Sequence, residues 1–145
     1  GLAGMKRLLV AFVAVVVAIA AQAGIARAYK TGPAITSDSI AAEHAFDVIV
    51  KSADFRKDLV RITCDIKGRP NTSQRIDAVS LMPSGKISHS ASDIDGVDFK
   101  RYFQWEDNGV ITIEIDFPVT YHYLRRFDLV FDTPYGKYTF QVKHQ

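Results

Sequence analysis

The sequence predicts an all-β domain: an immunoglobulin-like two-sheet sandwich of about seven to eight antiparallel strands, preceded by a hydrophobic N-terminal signal segment. Three observations predict it. From Ala45 onward apolar residues recur mostly at every second position, and β-branched and aromatic types dominate. Gly, Pro, Asn and Asp punctuate those runs at short intervals. The stretch left after the N-terminal segment, about 117 residues, matches the length of such a sandwich. A small closed β-barrel is the alternative, since period-two strands alone do not separate the two.

The N-terminal segment reads as targeting. Lys6 and Arg7 precede an uncharged apolar run, Leu8 to Ala21, and small residues follow around Gln22, which is the order of a signal peptide. Cleavage after Ala23 or after Ala28 satisfies the small-x-small rule, and the second site would release a chain beginning at Tyr29. An uncleaved anchor is the competing expectation. Leu8 to Ala26 is 19 residues interrupted only by Gln22, and roughly 17 to 25 span a bilayer. The four residues before Met5 are left out of the fold reading. The resulting expectation is an exported protein, periplasmic or extracellular, touching membrane only through this segment if it is retained.

Without the leader the charge balance changes. Lys6, Arg7 and Arg27 belong to residues 1–28, which leaves 15 basic against 16 acidic residues. The basic balance of the whole chain therefore comes from the leader, and nucleic acid, which needs a concentrated positive face, is excluded as an expected partner. Cys64 stands alone and forms no internal disulfide, so the domain must be held by its core.

Residues 29–44 carry the weakest pattern: a lead-in, or one short helical turn through Ser39 to Glu43 capped by Asp38. Strands are expected over Phe46 to Lys51, with Phe46, Val48 and Val50 inward, and over Val60 to Ile66, with Val60, Ile62, Cys64 and Ile66 inward. A hairpin follows, Ile76 to Met82 turning through Pro83-Ser84-Gly85 into Lys86 to Ser90. Asp107-Asn108-Gly109 is the strongest hairpin signal. It is expected to join a strand bearing Phe99, Arg101, Phe103 and Trp105 on one face to a strand whose Ile111, Ile113, Ile115 and Phe117 enter the core. Phe127, Leu129 and Phe131 then pass through Thr133-Pro134-Tyr135-Gly136 into Tyr138, Phe140 and Val142, a closing hairpin. The Cys, Trp, Cys spacing of antibody-type domains is missing, so the likeness is architectural.

Motifs for chemistry are sparse. Cys64 shares a face with Val60, Ile62 and Ile66 and reads as a small buried hydrophobe; an edge-exposed thiol pairing between chains is the other reading. The serines lack a Gly-x-Ser-x-Gly elbow. His44, His89, His122 and His144 are scattered without metal-ligand spacing, and no cofactor signature is present. Asp93 to Asp98 fails the EF-hand pattern, because from Asp93 the fifth, sixth and twelfth positions hold Val97, Asp98 and Gln104. Glu114 and Asp116 share a strand face roughly 7 Å apart by strand rise, as any polar strand face with two acids does, and they read as solvated.

One stretch concentrates recognition chemistry. Tyr121, His122, Tyr123, Arg125 and Arg126 lie between two predicted strands, and Tyr and Arg are enriched where surfaces bind. Trp105 would join them if the Asn-Gly turn lies at the same end. The competing reading is one more strand, with the arginines laid over apolar neighbours.

These features lead to an expected non-catalytic binding or interaction module whose partner is another protein or a cell-envelope component. Strand-edge pairing would also allow homo-oligomers. The alternatives are a small hydrolase or carbohydrate-active enzyme built around Asp116 and His122, and a small-ligand carrier.

Overall fold

The computed structural model describes residues 29–36 and 40–145. The expected leader, its expected cleavage sites and the expected Asp38 cap lie outside the described residues. In chain order the strands are β1 (Tyr29–Thr31), β2 (Ile35–Thr36), β3 (Phe46–Phe55), β4 (Val60–Gly68), β5 (Ser73–Gln74), β6 (Ala78–Pro83), β7 (His89–Ser90), β8 (Asp93–Asp95), β9 (Phe103–Gln104), β10 (Val110–Phe117), β11 (Arg126–Thr133) and β12 (Gly136–His144). A 3-10 turn, Ala42–His44, precedes β3.

Two antiparallel sheets face each other. One runs β3-β4-β10-β8, the other β1-β12-β11-β6-β7, with β2 on the edge of β12. When the short β1, β2, β5 and β9 are set aside, the remaining strands follow the ABED and CFG order of an immunoglobulin constant-type sandwich, with β7 as one further edge strand.

The period-two pattern produces this packing directly, because alternate side chains on a strand point to opposite faces. Val60, Ile62, Cys64 and Ile66 on β4 are fully buried, as are Ile115 and Phe117 on β10 and Leu129, Phe131 and Phe140 on the opposing sheet. Each large buried side chain contributes roughly 1.5–3 kcal/mol against the entropy of ordering it. Ile111 is half-buried and packs on the same core. On β3 the alternation shifts between Val50 and Ser52 at a bulge, which brings Ala53 and Phe55 round to the core side.

The structure redraws four local expectations. Tyr29 to Thr31, read as lead-in, pair with His144 to Val142; three residues are too few for a periodic signal, and only the far end of the chain supplies their partner. The expected strand from Phe99 to Trp105 shrinks to Phe103–Gln104, because Lys100 takes a left-handed φ of 60° and donates its N–H to the Ile76 carbonyl.

The Asn-Gly turn forms, with Gly109 at φ 65°, but it does not close a hairpin. β9 pairs with β5 and β10 pairs with β4, so the turn carries the chain from a small ribbon into the first sheet. Finally, Lys86 to Ser88 belong to the loop between β6 and β7, since Lys86 donates to the Pro83 carbonyl in a turn and pairing resumes at His89.

Candidate functional site

The segment Pro118 to Arg125 is a loop, and the extra-strand reading of it does not hold. Pro118 lacks the N–H that would continue β10, and β11 begins at Arg126. The loop sits at the end of the sandwich where β3 ends, β4 begins and β12 finishes.

Its residues have distinct roles. The Tyr121 hydroxyl is hydrogen-bonded to His89 Nε2 at 2.9 Å, tying the loop to β7. Tyr123 lies edge-on to Phe55 and to His144, with ring centroids 5.9 and 5.4 Å apart, yet remains 48% exposed. Tyr29 donates its hydroxyl to the Leu124 carbonyl at 2.9 Å and packs edge-on against Phe127. Burial pushes the Tyr29 hydroxyl pKa up, and neighbouring Tyr123 adds to the rise. The His144 N–H donates to the Arg125 carbonyl at 2.7 Å. The loop is thus held from three sides, with His122, Arg125 and Arg126 exposed.

Two open clefts flank this loop. One, of ≈ 390 Å³, is lined by Phe55, Arg56, Lys57, Thr120, Tyr121 and His122. The other, of ≈ 270 Å³, lies on the outer face of the second sheet, where Arg126 and Lys143 meet the β6–β7 loop. The first cleft has no carboxylate in its lining. Asp116, paired with His122 in the hydrolase expectation, is instead held by Arg61, whose Nε and terminal nitrogen donate to its two oxygens at 2.8 and 3.0 Å. That hydrogen-bonded guanidinium holds the Asp116 carboxyl below its ordinary pKa.

Comparisons with protein-family models, with curated proteins and with solved structures find no match. The chemistry of the site therefore rests on its own residues.

Trp105 does not belong to it. The indole is 1% exposed and packs against Phe46 and Phe103. It sits beside Gly68, at the opposite end of β10 from Tyr121. A Trp beside a turn satisfies a surface reading and a core reading equally in sequence, and the empty space over Gly68 decides for the core.

Sequence reasoning missed several members of the site. Lys30 and Lys143 are directly opposite across β1 and β12, and Arg126 is directly opposite Lys143 across β11 and β12. Side chains so paired share a face. Three cations thus stand in one row on the outer face of the second sheet. His89 on β7 and Arg56 and Lys57 in the β3–β4 turn also reach the site. No local signal finds such residues, because strand pairing over long sequence separation unites them.

The other end carries packing contacts. His44 stacks on Tyr135 with centroids 3.6 Å apart, and Arg75, paired with Asp77, lies over Tyr102. Among the described residues no group of three His, Cys, Asp or Glu gathers as a metal site.

Proposed function

We propose that this protein is an exported interaction module that meets a protein or cell-envelope partner through the end of the sandwich carrying Tyr121 to Arg126. The observation that carries the reading is a loop fixed by Tyr29, His89 and Phe55 that leaves His122, Tyr123, Arg125 and Arg126 exposed. A preorganised loop gives up little conformational entropy on binding, and loops on a rigid sandwich are where such domains present binding residues.

A photo-crosslinking residue placed at His122, with a second protein carrying it at Lys100 on the far end, tests this in the native compartment. Adducts from position 122 and none from 100, abolished by changing Arg125 and Arg126 to Glu, are expected. Adducts from position 100 alone would move the binding surface to the other end. Adducts from 122 that survive both charge reversals would remove the arginines from it.

A further inference from the structure

Of the ion pairs among the described residues, Arg61 with Asp116 and Glu114 is at this end but on the other sheet. Lys51 with Asp65, Arg75 with Asp77, Arg101 with Asp98, Lys137 with Asp132 and His44 with Glu43 lie elsewhere. Lys30, Lys143 and Arg126, set in one row by register, have no carboxylate within ion-pair distance among the described residues. Like charges directly opposite across strands are destabilising, so the row costs stability that a bound anion would relieve.

Further cations join it at the same end. Arg56 and Lys57 tip the β3–β4 hairpin, Lys86 stands in the β6–β7 loop and Arg125 ends the Tyr121 loop, all exposed. The nearby carboxylates are Asp54, Asp58, Asp93, Asp116 and Asp128, of which Asp116 is held by Arg61 and further kept ionised by Arg56. Cations outnumber acids here although residues 29–145 as a whole are nearly neutral.

Two further observations select the anion. Ile87, at the tip of the β6–β7 loop, is 76% exposed, and Tyr123 is exposed at the same end. An apolar tip and an aromatic ring among lysines and arginines is the composition that settles at a bilayer interface. In sequence, the apolar run from Leu8 to Ala26 directly precedes β1, and Tyr29 of β1 sits at this end.

We infer that this basic end of the sandwich docks on an anionic phospholipid surface, with the Lys30, Lys143 and Arg126 row facing headgroup phosphates and Ile87 entering the interface. The inference rests on the reading of this end as the binding end and gives its partner a chemical class. A retained leader would hold the same face toward the bilayer, and a cleaved one would leave the charges and Ile87 to bind alone.

The test uses the exported protein carrying Ile87→Cys labelled with an environment-sensitive dye; buried Cys64 leaves position 87 as the reactive thiol. The dye should report an apolar environment with vesicles of phosphatidylcholine and phosphatidylglycerol in equal parts, and an aqueous one with phosphatidylcholine alone. Added salt should reverse the response. Lys30→Gln, Arg126→Gln and Lys143→Gln should each weaken it about fivefold, while Lys100→Gln at the far end leaves it unchanged. The Lys143→Gln protein should also melt at a higher temperature, because its two like-charge oppositions, with Lys30 and with Arg126, are gone. An equal response to both vesicles, no response to either, or Gln variants that gain stability without losing the response would each overturn the inference. Protein adducts from position 122 without any lipid response would leave the interaction module standing and remove only its lipid partner.

Discussion

Gly68 gives the indole of Trp105 the volume that any side chain at position 68 would occupy: a Cβ built on Gly68 collides with the Trp105 ring. Gly68 ends β4 and is opposite Phe46 on β3, so the ring closes the core where the first sheet begins. Its backbone is held as well, because the Trp105 N–H donates to the Thr72 carbonyl and the Asn71 N–H donates to the Trp105 carbonyl.

Gly68→Ala should therefore destabilise the domain by about 1–3 kcal/mol through overpacking. Urea unfolding followed by Trp105 fluorescence checks it. An unchanged midpoint would mean that the indole has another place to go.

Tyr29→Phe removes one hydroxyl and leaves the Leu124 carbonyl without that donor. A loss of about 1 kcal/mol is expected. It should be accompanied by faster amide exchange on both sides of Leu124, since the loop would lose one of its three ties. Exchange confined to β1 would argue that the loop is held without Tyr29.

Asp116→Asn should cost about 1 kcal/mol at neutral pH, the upper range for a partly exposed ion pair with bidentate geometry. The sign follows from the lowered pKa of Asp116. A carboxyl depressed by folding stabilises above its unfolded value, near ~3.9, and that contribution is lost as pH falls through the folded value. Melting curves of Asp116→Asn and the unchanged protein should differ at neutral pH and converge in strong acid. A gap independent of pH would assign the loss to packing.

Asp128 should behave in the opposite sense. Burial raises its pKa above the ordinary carboxylate value, so its charged form is disfavoured in the folded state. Asp128→Asn should raise the melting temperature at neutral pH, with the gain fading as pH falls through the raised folded value and gone below the ordinary carboxylate pKa, where the acid is protonated in both states. A variant that melts lower at neutral pH would show that the carboxylate is paired favourably with the neighbouring cations.

Cys64 is fully buried on β4, and burial followed by the charge of Asp65 pushes its thiol pKa up. A thiol reagent should modify it at the rate of global unfolding and not before. Rapid reaction in native buffer would contradict the packing of β4.

The strands that form the two sheets were legible because half-buried strands write their burial into the sequence at period two. Val60 to Ile66, Ile113 to Phe117, Phe127 to Phe131 and Tyr138 to Val142 all bury the residues that the alternation marks. The Tyr121 to Arg126 stretch stood out in the sequence by its composition, but not as loop or strand, because Tyr-His-Tyr-Leu alternates as well as any strand does. Trp105 was misplaced for a related reason: adjacency to a turn in sequence does not say which end of a strand, about 24 Å long by rise per residue, the turn occupies.

By itself the sequence determined the class of fold, the inward faces of the main strands and the solitary buried thiol, since each depends on contacts whose pattern repeats locally along the chain. Only the tertiary structure decided that Tyr29 to Thr31 belong to a sheet, that the Asn-Gly turn joins different sheets, and that Lys30, Lys143 and Arg126 stand in one row. Those facts depend on pairing register between segments up to a hundred residues and more apart, and register is set by the whole core closing at once.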